Sequence, residues 1–338
     1  MRWARLRNGY RLGGHPGKRV RGDSSLRIAH FNNIANVAWT LSRAQRALGH
    51  EAVVYAFSGD PYGFPADVRE RTYHGPELWN LQMAARWREF STFDVLHVHY
   101  GISRKEPVYP VFARFFGKGL AVHLHGSEAR SGRGLHYLGA SDVIFASTPD
   151  LLDIVPEAEW LPNPIELAAL PEPGPPHERS RFGHFVSSPV HKGTSQVVAS
   201  FREAFPGATV SRQGKLTWYR APETELLVAN RVPHTQALEL MASSDVIVDQ
   251  ITPYGIYGLV AIEGMALRKP VLASVRSNWY PGCPVVPIDR TTAPDRMRAL
   301  AADPSARERL GREGRAYVER VHGASAIARR TLAAYARA

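Results

Sequence analysis

The chain has 338 residues, 44% of them hydrophobic and 22% charged, which is too long for one typical domain and enough for two domains with ordinary cores. No stretch approaches the roughly 20 apolar residues that span a bilayer, and Cys283, the only cysteine, excludes an intrachain disulfide and suits a reducing, cytoplasmic setting. The formal charge of +11 admits a polyanionic partner, but with no zinc-ligand cysteine spacing and no aromatic RNA-binding motif it speaks first to a solvated Lys/Arg-rich surface, and no nucleic-acid partner is expected.

Residues 1–24 are basic, rich in Gly and Arg and without periodicity. No apolar run follows their charges, so they read as a disordered basic tail rather than a secretory signal. Residues 26–31 (LRIAHF) form a short apolar strand, Asn32-Asn33 a turn, and Val37, Leu41, Ala44 and Leu48 mark one face of a helix that closes at Gly49-His50. Strand 52–56 (AVVYA) completes a β-α-β unit. Further short buried strands are expected at 95–97, at 120–124 before His125-Gly126, and at 143–146 before Ser147. Short apolar strands alternating with helical segments indicate a doubly wound parallel sheet for residues 25–164.

Residues 165–183 are proline-rich and aperiodic, as a linker between domains would be. A second α/β domain spans 184–320: strand 184–187, helix 194–205 after Gly193, helix 235–242 after Pro233-His234, strand 246–249, helix 258–267 and strand 270–273. Residues 303–336 are helical by pattern, and 321–338 read as a last helix that can cross back to the first domain. Their arginines and those of the tail leave peripheral contact with the inner face of a membrane open.

Within the apolar run that follows Asp249, Glu263 is the one charge before Arg268, and it shares a helical stripe with Leu259, Ile262 and Ala266. An unpaired buried carboxylate is costly. Either it pairs with a neighbouring helix, or it leans back toward the helix start and serves a ligand at the carboxyl edge of a parallel sheet. There the first N–H groups of the helix, at Tyr257, Gly258 and Leu259, favour a phosphate. A carboxylate beside a phosphate cradle is what a nucleotide ribose needs.

Residues 245–271 (DVIVDQITPYGIYGLVAIEGMALRKPV) resemble the donor-site segment of the retaining glycosyltransferases of family 4. So, in order, do the opening strand–helix–strand, 93–99 (FDVLHVH), 123–128 (HLHGSE), 160–165 (WLPNPI) and His191-Lys192-Gly193, a resemblance covering about residues 26–336. It implies a GT-B architecture, two Rossmann-like domains facing across a cleft, and a hexosyltransferase that moves a sugar from a UDP- or GDP-sugar to an acceptor hydroxyl with retention. No metal and no cofactor besides the donor are expected, and the acceptor is not readable.

Carried over residue by residue, the resemblance places Glu263 on the ribose hydroxyls, Lys192 on the diphosphate and His125 beside the sugar, these three being the candidate catalytic groups. Ser187, Ser188, Gly193, His234, Gly255, Tyr257, Gly258 and Leu259 complete the candidate donor site. The pattern departs from the family at Gly255, where an acidic residue that meets sugar hydroxyls is usual, and at Ser187, where an arginine is usual. A nucleotide-sugar 2-epimerase and a non-catalytic nucleotide-binding protein of the same architecture are the alternatives. His125 can also be an ordinary strand-end histidine. His97 and His99 are expected to face one in and one out, as structural residues. Tyr219, Tyr254, Trp279 and Tyr280 can stack on sugars or serve packing.

Overall fold

The computed structural model describes residues 25–57, 62–70, 75–102, 105–172, 174 and 177–337. The tail 1–24 lies outside the described residues. Two compact units are present: one built from the described parts of Met1–Gly59, Phe64–Pro164 and Ala324–Ala338, the other from those of Asp60–Gly63 and Ile165–Gly323.

In unit 1 the strands are β1 (Arg27–Phe31), β2 (Glu51–Ala56), β3 (Val68–Arg69), β4 (Val95–His99), β5 (Gly119–Leu124), β6 (Val143–Ala146) and β7 (Glu159–Trp160). They form a parallel 7-stranded sheet in the order β3-β2-β1-β4-β5-β6-β7. The chain direction across the sheet reverses beside β1, the arrangement of a doubly wound fold. The connecting helices are α1 (Val37–Ala47), α2 (Pro76–Ala85), α3 (Trp87–Phe90), α4 (Val108–Phe116) and α5 (Ser127–Arg130).

Both faces of this sheet are covered, and the period of two sorts its residues. Ala29, Phe31, Leu96, Val98, Leu120, Val122 and Ile144 enter one core, while Ile28, Val95, Ala121, Val143 and Phe145 enter the other beside Leu41 of α1. The expectation for His97 and His99 is corrected by the same rule. Residues two apart in a strand point the same way, so both rings lie on the α1 side, and because that side is covered both are fully buried.

Unit 2 contains β8 (Ser180–Val186), β9 (Thr209–Gln213), β10 (Leu216–Arg220), β11 (Thr224–Asn230), β12 (Val246–Val248), β13 (Val271–Ala273) and β14 (Val286–Pro287), in the order β14-β13-β12-β8-β11-β10-β9. Its helices are α6 (Thr194–Ala204), α7 (His234–Ala242), α8 (Leu259–Ala266), α9 (Ala293–Ala302) and α10 (Pro304–Val321). Strand β8 begins within the stretch expected to be linker. Its polar first residues hid it, but Arg181 is in register with Glu225 and binds it at 2.6 Å.

The sheet is parallel only from β14 to β11. Strands β9 and β10 form an unexpected antiparallel hairpin that turns at Gly214, where φ is +58°. Strand β9 is exposed along its whole length, so no apolar run announces it. After α10 the chain enters α11 (Ala324–Tyr335), which belongs to unit 1. Ile327, Ala328 and Tyr335 join the core against α1, and Gln45 Nε2 donates to Thr331 Oγ1 at 3.2 Å. Among the described residues no helix is long and apolar enough to cross a membrane.

Candidate functional site

Strands β12, β8 and β11 are neighbours in the sheet of unit 2, and the loops leaving their carboxyl ends carry most of the candidate donor residues. The loop after β8 turns through Gly193, which sits at φ +66° so close to the next loop that a Cβ there would lie 2.2 Å from the Ile251 carbonyl oxygen. The turn delivers Lys192 inward. Its Nζ donates to Asp249 Oδ1 at 2.8 Å and to Gln250 Oε1 at 3.1 Å. It lies at the tip of α8, since a Cβ on Gly258 would be 2.7 Å from that nitrogen.

Asp249 was not anticipated. Fully buried at the end of β12, it accepts the Gly258 N–H through Oδ2 at 2.5 Å and so holds the lysine and the helix start together. The signal was present as an acidic residue ending an apolar strand, but its burial depends on a loop 57 positions away. Ser187 and Ser188 supply backbone here. Ser188 O accepts the Lys192 N–H at 3.1 Å, and Ser187 O accepts from Arg231 Nε at 2.9 Å. Arg231 follows β11 at φ +53° and brings a cation to the loop at Ser187.

Glu263, 5% exposed, accepts from His234 Nε2 at 2.6 Å, so its partner is on neighbouring α7 and is itself a candidate donor residue. Gly255, at φ +70°, is covered by Arg276: a Cβ would meet Arg276 Cγ at 2.6 Å, and Arg276 N donates to Gly255 O at 2.9 Å. Tyr257 turns away from the helix tip and anchors the loop, its hydroxyl bonded to His322 Nε2 at 2.9 Å and to Tyr317 Oη at 3.1 Å. Tyr280 packs on Tyr257 at 4.3 Å between ring centroids, Trp279 lies under Arg276 and Tyr219 under Arg202. Tyr254 is 42% exposed.

Solved structures match this arrangement across almost the whole chain. HepE of Anabaena, in complex with UDP, is 13% identical with a TM-score of 0.64, over 90% of this chain and 98% of that one. AviGT4, a glycosyltransferase involved in avilamycin A biosynthesis, is 21% identical with a TM-score of 0.60, over 92% and 97%. An α-glucosyltransferase in complex with UDP and mismatched DNA is 12% identical with a TM-score of 0.67, over 92% and 99%. The chain has the GT-B fold. No family model and no curated protein matches the sequence.

Behind the lysine loop of this GT-B chain lies His184, fully buried in β8. Its Nδ1 donates to Val248 O at 2.8 Å, which leaves Nε2 to accept from Thr194 Oγ1 at 3.0 Å. Burial outweighs the bond to Val248 and pushes its pKa down to about 4. The unfolded imidazole, near 6.5, takes up a proton that the folded one refuses. Stability from this group is therefore complete above about pH 6.5 and falls by about 1.4 kcal/mol per pH unit as the pH drops toward 4. Urea midpoints of wild type and His184→Gln between pH 7 and 5 check this, the wild type showing the steeper loss.

His125 is in unit 1, at the end of β5. Its Nε2 is 3.1 Å from His99 Nδ1, and its Nδ1 is 3.2 Å from Ser147 Oγ. Burial pushes its pKa down to about 3, so the ring is neutral at ordinary pH. With both nitrogens engaged, it is neither a cation nor a general acid. His30, His97 and His123 stand on the same face of β1, β4 and β5.

Proposed function

We propose that the chain is a retaining glycosyltransferase that moves a sugar from a UDP- or GDP-sugar to an acceptor hydroxyl without a catalytic metal. The observation that carries the reading is the Lys192 ammonium at the amino-terminal tip of α8, one turn from Glu263. Two of its N–H bonds go to Asp249 and Gln250, and an ammonium has three, so one is left to donate to a diphosphate oxygen. Asp249 offsets the lysine charge, so the anion is met by directed donors: Lys192, the N–H groups at the start of α8 after Gly258, whose own N–H goes to Asp249, and the Arg231 side chain. That HepE, AviGT4 and the α-glucosyltransferase are transferases or carry UDP supports a nucleotide-sugar donor. Retention and metal independence rest on the family resemblance of the donor segment.

In this reading the bond from the sugar to the leaving phosphate breaks while Lys192 and the helix tip stabilise the diphosphate. The acceptor attacks on the same face, and the leaving phosphate takes its proton. Glu263, oriented by His234, accepts from the ribose hydroxyls. Glu263→Gln then weakens UDP or GDP binding about 10- to 100-fold, the ~1.5–3 kcal/mol of a charged hydrogen bond. Calorimetry tests this, and unchanged affinity would remove Glu263 from the ribose.

A panel of UDP- and GDP-sugars screened by thermal shift, then by release of nucleoside diphosphate, tests the whole proposal. Release with a sugar transferred to an acceptor or to water supports it. A recovered, isomerised nucleotide-sugar identifies an epimerase. Binding without release identifies a nucleotide-binding protein, a reading favoured by Arg276 covering Gly255 where an acidic residue would meet the sugar.

A further inference from the structure

Five histidines, His30, His97, His99, His123 and His125, meet on one face of the central strands of unit 1. The transfer proposed above assigns none of them a step. All but His125 are fully buried. A core that needed only apolar filling would not gather imidazoles here, because each brings a donor and an acceptor that must be satisfied out of water.

Their nitrogens are arranged in a directional way. His99 Nε2 faces His30 Nδ1 at 3.1 Å, and His30 Nε2 is held by Gln45 Oε1 at 2.8 Å. Since Gln45 Oε1 only accepts, His30 carries its proton on Nε2, and His30 Nδ1 accepts the Nε2–H of His99. His99 Nδ1 is thereby a lone pair. Ser147 Oγ stands 3.2 Å from both His125 Nδ1 and His123 Nε2, and it can accept an N–H from each. His123 then keeps its lone pair on Nδ1, which is buried with no hydrogen-bond partner, and His125 gains one on Nε2 when its proton moves to Nδ1. Each of the three imidazoles can thus give one proton to an acceptor and keep one nitrogen as a lone pair, as metal-ligating histidines do.

We propose that unit 1 binds a zinc ion through His99, His123 and His125. One nitrogen from each ring lies within 4.8 Å of the others. The His99 Nδ1 to His125 Nε2 separation of 3.1 Å is near the ~3.3 Å edge of a tetrahedron with ~2.0 Å zinc–nitrogen bonds. Imidazole suits a borderline dication of this kind, and three protein ligands leave a fourth position for water or a ligand oxygen. Without the ion, His125 Nε2–H donates to His99 Nδ1. Binding moves that proton to His125 Nδ1, with the Ser147 hydroxyl turned to accept it, so no proton need leave the protein. Glu128, 3% exposed, accepts the His125 backbone N–H and so helps fix the end of β5. His30 and Ser147 are positioning residues.

This zinc neither supplies nor replaces any step proposed for unit 2, and its test does not depend on activity. The full chain, stripped with a chelator, is titrated with zinc against a chromophoric competitor and with cobalt(II) as a spectroscopic probe. One zinc per chain, a raised melting temperature and the intense visible bands of tetrahedral cobalt are expected. His123→Gln and His125→Gln should each weaken zinc at least 100-fold, while His97→Gln, whose Nδ1 faces Tyr335 Oη at 2.6 Å, should leave it within a few-fold. Absence of zinc uptake by the folded wild type overturns the proposal, and so does loss in His97→Gln with retention in His125→Gln. The cobalt spectrum of the wild type decides the matter even if a variant fails to fold.

Discussion

Lys192→Ala lowers the rate of sugar transfer about 100- to 1,000-fold, the ~2.7–4 kcal/mol lost when one preorganised donor to a developing anion is removed. The same change leaves Asp249 fully buried without its cation, and breaking a buried pair from one side costs about 3–5 kcal/mol of stability. The lysine side chain is 19% exposed, so water reaches it and the lower end of that range applies. The two effects separate in the double variant Lys192→Ala/Asp249→Asn. Removing the stranded charge restores much of the melting temperature, while the rate, measured as nucleoside diphosphate release at saturating donor, stays low. The carboxamide introduced by Asp249→Asn still has an oxygen to accept the Gly258 N–H, so the start of α8 is kept. Recovery of rate together with stability would make Lys192 a structural partner of Asp249 and remove it from the chemistry.

How much of this was legible follows from what each residue depends on. The start of α8 could be read because its signals are local: two glycines, a proline, then an apolar stripe with one carboxylate. The partner of that carboxylate could not, because His234 is 29 positions away and reaches Glu263 only after β11 and β12 have paired on either side of β8. By local pattern Asp249 is a strand end and nothing more, since its role depends on where Lys192 turns. Strands β1, β2, β4, β5, β6, β12 and β13 could be read because both their faces are covered and their runs are largely apolar, whereas β11, which opens with Thr224-Glu225, and the two-residue strands β3, β7 and β14 gave no such run. The β9–β10 hairpin, lying at an exposed edge, gave none either. His125 was singled out for its place beyond a strand. Its actual neighbours, His99 and Ser147, are set by the register of β4, β5 and β6, which no local pattern reveals.

Gly193→Ala is expected to damage stability and transfer together. At φ +66° an L-residue costs about 1–2 kcal/mol, and here the new methyl also meets a backbone oxygen, Ile251 O, at 2.2 Å. A carbonyl in a packed loop cannot swing aside as a side-chain tip can, so the two loops must part, at a further ~1–3 kcal/mol. Gly207→Ala is the matched control, because Gly207 has φ +78° and nothing within 4 Å of an added Cβ. It isolates the conformational cost, and the larger loss at Gly193 measures the clash. Parting the loops also removes the bond from Ile251 N to Lys192 O, 3.3 Å long, and withdraws the ammonium from Asp249 and the tip of α8. Melting should fall by roughly 5–15 °C against a few degrees for Gly207→Ala, and residual transfer at a temperature where the variant is folded should be at least tenfold down. Gly193→Asn sharpens the test, since Asn tolerates positive φ yet keeps the offending Cβ. Close approach predicts that it is as damaged as Gly193→Ala, whereas a rescued melting point would show that backbone conformation alone places Lys192.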